Sequence, residues 1–193
     1  MLGPQPLKKV HTPAIRTLAE LAEFLSIPTH DTVKTMAGKL ADGTLVYFCV
    51  PGDRELNPVK ADWAAPGVLL LEETDFASYG IPKGSLGPVA PPSGTIVIAD
   101  VSLKNDVSWG VGANENDYHL VGAMPERDFA VAQWADLVVA EPGDGCPECG
   151  GGLAGARGIE VGQIFQLGTK YSGSVGATFA DANGTAKPFS KVC

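Results

Sequence analysis

The sequence predicts an α+β fold in which a mixed, largely antiparallel central sheet is flanked by helices. Three observations lead there. Thr17-Leu18-Ala19-Glu20 has the form of a capping box and opens a run of apolar residues at helical spacing. The runs 33–40 and 45–51 resemble two strands folded around Asp42-Gly43. Later strand and helix signals alternate without the strict strand-helix-strand rhythm of a dinucleotide fold.

Taken in order, residues 1–16 form an extended lead-in, punctuated by Pro4, Pro6 and Pro13. The Thr17 hydroxyl caps the first helix, and Leu18, Leu21, Ala22 and Leu25 share one face, which is read as core with no further role. Pro28 is expected to end this helix. The hairpin that follows puts Lys34 at the start of a strand, beside whatever pocket that end of the sheet forms. Residues 52–57 lead into a helix through Trp63, and residues 74–79 predict a short one closed by Gly80. The stretch 82–88 is too rich in glycine and proline for regular structure and predicts a shaped loop. Residues 95–103, 107–111 and 119–123 predict strands, with a glycine-bearing turn at 112–116 between the last two.

Glycines 143, 145, 150, 151 and 152 mark a boundary. The expected organisation is a core over 1–145 and a glycine-rich crossing with a C-terminal segment over 146–193, packed on that core. Within the latter, residues 158–167 alternate like a strand and Asp181-Ala182-Asn183-Gly184 marks a turn. No internal repeat or low-complexity tract is present.

With 193 residues, 45% of them apolar, the chain can bury one substantial core. No window has the layout of a signal peptide, and no run approaches the ~18 apolar residues of a membrane span. A cytoplasmic protein without a membrane partner is therefore expected. The formal charge of -8 and pI near 4.8 exclude a broad nucleic-acid-binding face, and DNA is not an expected partner. Lys8, Lys9, His11, Arg16, Lys34 and Lys39 cluster early, so a nucleic acid would be held by one end.

Of the cysteines at 49, 146, 149 and 193, only Cys146 and Cys149 form a recognisable pair, and a closed zinc site needs four ligands. No metal, no cofactor and no disulfide framework are expected. Cys49 lies in an apolar strand-like run and is expected to be buried.

The chain also carries an ordered series of motifs: HTPAIRTLAELAEFLSIP, TVKT, PGDRELNPVK, GSLGP, IAD, GANENDYH, RDF and RGIEVGQIFQLGTKYS. Together they resemble the insertion (editing) domain of bacterial-type prolyl-tRNA synthetase, in the YbaK/prolyl-tRNA-synthetase-associated domain family. The resemblance covers nearly the whole chain. It implies a YbaK-like fold and an aminoacyl-tRNA deacylase that hydrolyses alanine wrongly joined to tRNA(Pro). Its partner would be the 3′ aminoacyl-adenosine end of that tRNA, with a synthetase or elongation factor as a further partner. Two other readings stay open: a noncatalytic remnant that binds tRNA or a synthetase, and a deacylase for cysteinyl- or seryl-tRNA.

The resemblance assigns roles to individual residues, each with a plainer alternative. Lys34 matches the family's lysine, which would hold a phosphate or carbonyl oxygen of the aminoacylated 3′-adenosine and stabilise the charge that develops as water attacks the ester, where an unremarkable lysine would be a solvated surface residue. Thr12 would lie near the amino-acid pocket or simply turn the chain ahead of Pro13. His119 would position the substrate or serve as a structural histidine. Asp100, costly to bury unpaired, would bind the substrate ammonium or cap the next turn. Gly84, Ser85, Leu86, Gly87 and Pro88 match the loop that orients the terminal adenosine, where a structural turn would have the same composition. Gly112, Ala113 and Asn114 complete the proposed substrate-binding set.

Two departures accompany the match. Gln163 stands where the family usually has histidine, and Val101 follows Asp100 where a basic residue is expected. Residues 157–172 resemble the stretch where a synthetic domain resumes, yet the chain is not expected to aminoacylate alone.

Overall fold

The computed structural model describes residues 3–15, 17–159, 162 and 164–192. The expectations placed on Arg16, Gln163 and Cys193 lie outside these residues. The chain divides after Ala140 into two compact units.

The first unit holds two sheets. One has five strands in the order β4 (Leu69–Leu70), β2 (Val33–Lys39), β3 (Leu45–Pro51), β5 (Ile96–Asp100) and β8 (Gln133–Ala135). Its β4–β2–β3 side is antiparallel and its β3–β5–β8 side parallel, so the sheet is mixed as expected. The other sheet is antiparallel, in the order β1 (Lys8–His11), β7 (Tyr118–Ala123) and β6 (Trp109–Gly112). A single parallel bridge between Thr32 and Gly110 links the two.

Alternation along β3 explains why its sequence is a continuous apolar run. Tyr47 and Cys49 face a core shared with Val97, Ala99, Trp109, Val111 and Leu120. Val46, Phe48 and Val50 face a second core against Ala61, Ala65 and Leu137. A strand buried on both faces leaves no polar alternation to read.

The helices follow their caps. In α1 (Leu18–Leu25) the Thr17 side chain accepts from the Glu20 amide, and Glu20 accepts in return from the Thr17 amide. The helix ends earlier than Pro28, at Ser26, whose left-handed backbone (φ 55°) lets its amide reach back to Ala22 and Glu23. α2 (Pro58–Ala64) starts from Asn57, whose side chain accepts from the Val59 and Lys60 amides, with Pro58 at the position where a missing N–H costs nothing. Residues Glu73–Tyr79 form a 3-10 turn closed by Gly80 in the left-handed region.

The first unit departs from the expected elements in several places. The strand predicted over 95–103 stops at Asp100, and Val101–Leu103 is a 3-10 turn capped by the Asp100 side chain. The lead-in contains β1, paired with β7 in the register Lys8↔Val121 to His11↔Tyr118. Finally, β4 and β8 have no counterpart among the expected elements, their two and three residues being too short to show a period.

The second unit contains α3 (Lys170–Ser174) and two small antiparallel pairs, β9 (Gln166–Gly168) with β12 (Lys191–Val192) and β10 (Thr178–Ala180) with β11 (Ala186–Pro188). Asp181 closes the β10–β11 turn by accepting from the Asn183 and Thr185 amides, and Gly184 takes φ 78° there. Of the strand expected over 158–167, only Gln166 and Leu167 are strand, as part of β9; the other described residues of that range, 158, 159, 162, 164 and 165, are not, which corrects the expectation.

Candidate active site

A cavity of about 440 Å³ opens in the first unit where α1, β2 and the loop at Gly84 converge. Ile15, Leu18, Leu21, Val33, Leu71, Phe76 and Leu86 make most of its wall apolar. Thr17, Lys34, Thr35 and His119 supply its polar side chains. The α1 face that the sequence assigns wholly to core therefore has a second use, because Leu18 and Leu21 border the hollow.

Lys34 is the second residue of β2, and its side chain is 22% exposed. Its Nζ donates to the Arg54 carbonyl at 3.0 Å and to Glu55 Oε1 at 2.6 Å. An ammonium has three N–H donors. With two directed at these anchors, one N–H remains. Glu55 is 72% exposed, so its attraction to Lys34 is screened and its contribution is mainly directional. The sequence assigns no role to this anchoring pair, although both residues lie within the PGDRELNPVK motif.

His119 is buried, and its Nδ1 lies 2.7 Å from the hydroxyl of Thr12, itself 1% exposed. Burial pushes the imidazole below its ordinary pKa, an effect partly offset by a hydrogen bond to the Gly84 backbone. A neutral ring has one donor and one acceptor nitrogen. Donation toward the Gly84 carbonyl leaves Nδ1 to accept from Thr12. The histidine thus braces the Gly84 loop against the end of β1, and Thr12 stands behind it, outside the cavity lining.

This pairing has a pH consequence. The unfolded imidazole titrates near 6.5 and the folded one lower. The stabilising contribution is thus fully present above the unfolded value and is lost as pH falls through the folded value. Protonation also removes the acceptor for Thr12, worth about 1 kcal/mol. We expect a His119→Gln variant, which can still accept and donate, to lose less stability than the wild type between pH 7 and pH 5. Thermal unfolding of both proteins across that range checks this.

The loop itself is fixed by Asn114. Its Oδ1 accepts from the Gly87 amide at 3.0 Å, and its Nδ2 donates to the carbonyls of Gly87 and Val89 at 2.8 and 2.9 Å. Its own amide donates to the Ser85 carbonyl at 2.8 Å. Asn114 holds φ 52°, a left-handed geometry that asparagine tolerates better than most residues. Ser85 and Pro88 are buried, while Gly84, Leu86 and Gly112 border the cavity. Asn114, Gly87 and Ala113 lie outside the lining and build the wall from behind.

Asp100 departs most from its expected place. One carboxylate oxygen accepts from the Ser102 amide at 2.9 Å and hydroxyl at 2.6 Å, and the other accepts from the Leu137 amide at 2.8 Å. The residue is 1% exposed and does not border the cavity. Of its two readings, these bonds fit the cap. Val101, the departure beside it, is exposed.

Cys49, behind the β2 wall, has its thiol pushed up to about 12 by burial, which keeps it protonated and unfit as a nucleophile. Among the described residues, no three His, Cys, Asp or Glu side chains gather as a metal-binding group. No described helix is long and apolar enough to cross a membrane.

Residues 12–129 match the aminoacyl-tRNA editing domain, and the chain belongs to that family. The proline-tRNA ligase of Thermosipho africanus is 44% identical over 190 residues, covering 97% of this chain and 34% of that protein. The proline-tRNA ligase of Moorella thermoacetica is 44% identical over 194 residues, covering 99% of this chain and 34% of its own length. The chain thus spans about a third of these relatives. Among solved structures, one described provisionally as a trans-editing enzyme for prolyl tRNA synthetase superposes with TM-score 0.55 at 22% identity, over 69% of this chain and 87% of that one. The hypothetical protein APE2540 superposes with TM-score 0.57 at 22% identity, over 69% and 92%. These two likenesses concern the fold.

Proposed function

We propose that this chain hydrolyses the ester of alanyl-tRNA(Pro), releasing alanine and the free 3′ end. The observation that carries this reading is the convergence of Lys34 and the His119-braced Gly84 loop on one apolar cavity. A water adds to the ester carbonyl, the third Lys34 N–H stabilises the oxygen that gains charge, and the ribose oxygen leaves with a proton. An aminoacyl ester is already activated, so orientation and charge stabilisation are sufficient.

The biological logic is a second sieve. A synthetic pocket sized for proline cannot strongly reject the smaller alanine, because missing methylenes cost only ~1–3 kcal/mol of discrimination. A separate hydrolytic site removes the error. The whole cavity, at about 440 Å³, exceeds an alanyl group and suits an aminoacyl group together with part of its sugar. Rejection of proline then falls to the apolar portion beside Leu18 and Leu21. A net charge of -8 fits contact limited to the acceptor end, and the relevant ligand remains that end of tRNA(Pro).

The test is a single-turnover comparison of the purified chain on alanyl-, prolyl-, cysteinyl- and seryl-tRNA(Pro). Alanine release is expected to exceed proline release by at least about 100-fold, a ratio within reach of a steric sieve. Faster cysteine or serine release would reassign the substrate. Decay of all four at the background rate would leave a binding module in place of an enzyme.

A further inference from the structure

The pocket makes no use of Cys146-Pro147-Glu148-Cys149-Gly150-Gly151, the motif set aside in the sequence for want of a second cysteine pair. In the second unit this stretch forms a tight, knuckle-shaped turn. Gly145 and Gly152 pair as an antiparallel bridge. Inside it the Cys146 amide donates to the Gly151 carbonyl, and the Gly150 amide to the Cys146 carbonyl, each at 2.8 Å. Gly150 takes φ 71°, a left-handed conformation that a side chain would strain.

The turn curls around sulfur. Hydrogen bonding from the Cys149 backbone, then the Glu148 backbone and the Cys149 side chain, holds the Cys146 thiol below its ordinary range. A Cβ built on Gly151 would lie 3.4 Å from Cys149 Sγ, at the edge of ordinary contact. Cys149 is exposed and Cys146 partly so, and both are free thiols. Amides directed at the Cys146 sulfur favour its anionic form, and two adjacent cysteine sulfurs are soft donors that suit a soft cation.

We infer that Cys146 and Cys149 form a two-thiolate half-site for a thiophilic divalent cation such as Zn²⁺. Each thiol gives up its proton to the solvent as its sulfur joins the metal. Water or donors from another molecule fill the remaining tetrahedral positions. The inference is independent of the editing chemistry, because no cavity residue takes part.

The experiment uses the full chain carrying Cys193→Ser, reduced and metal-free under argon, titrated with Co²⁺. Cysteine-to-cobalt charge-transfer absorption is expected to saturate at about one ion per chain, or one per two chains if two knuckles share it. Zn²⁺ should displace it. Cys146→Ser and Cys149→Ser should each lower the apparent affinity at least about tenfold, the scale on which removal of a ligand or its support is felt. Circular dichroism of both variants verifies that the fold is retained. No charge-transfer band, or a band that survives both substitutions, overturns the assignment.

Discussion

Replacing Lys34 with alanine is expected to slow hydrolysis of alanyl-tRNA(Pro) by about 100- to 1,000-fold, the usual consequence of removing one donor to a developing oxyanion. The loss should fall on kcat, because the charge that Lys34 meets appears only as water adds to the carbonyl. The fold should survive. The side chain is 22% exposed, and its carboxylate partner Glu55 is 72% exposed, so truncation strands no buried charge. Its other partner, the Arg54 carbonyl, loses one donor. Stability is therefore expected to change by no more than about 1 kcal/mol. Lys34→Arg is the informative companion, since a planar guanidinium keeps the charge but cannot reproduce a single N–H beside two anchored ones. Single-turnover deacylation and a urea melt measure both quantities. A Lys34→Ala protein that folds and deacylates within twofold of wild type would eliminate the proposed role.

The way Lys34 is held illustrates what could be read from the residues alone. Local signals were legible: the Thr17–Glu20 box, the Asp42-Gly43 hairpin and the Gly80 terminus depend on bonds spanning a few residues, and each occurs where the sequence puts it. Contacts between distant segments were not. Lys34 rests on residues 20 and 21 positions away, His119 on Thr12 at a separation of 107, and Asp100 on Leu137 at 37. For Asp100 the physical premise was sound, since a buried carboxylate requires partners. Its partners are the Ser102 amide and hydroxyl and the Leu137 amide, so both oxygens are engaged inside the fold. The lead-in strand was hidden for a related reason. Its residues are mostly exposed, with Lys8 and Lys9 among them, so β1 shows no apolar alternation and exists because β7 offers an edge.

The glycines of the cavity loop provide the second large effect, and two that look alike in sequence should behave differently. A Cβ added at Gly87 would lie 1.9 Å from the Gly112 carbonyl oxygen, and one at Gly112 would lie 2.0 Å from the Leu86 carbonyl oxygen. Both obstacles are backbone, so no rotamer relieves them. Gly87→Ala must push the loop off β6, breaking the Asn114 bonds and shifting the Gly84 carbonyl away from His119. The expected cost is about 3 kcal/mol of stability, the upper end for an overpacked site. In the protein that remains folded, displacement of the loop by about 1 Å should cost roughly 100-fold in deacylation. At Gly84, by contrast, an added Cβ meets nothing within 4 Å, and only its φ of 78° resists substitution. Gly84→Ala should therefore cost only about 1–2 kcal/mol, the penalty for an L-residue in that region. Thermal melts and deacylation rates of the two variants decide the matter. If Gly84→Ala proves the more damaging, it is backbone conformation at the cavity rim that matters, and the close approach of the loop to β6 is not what holds the site together.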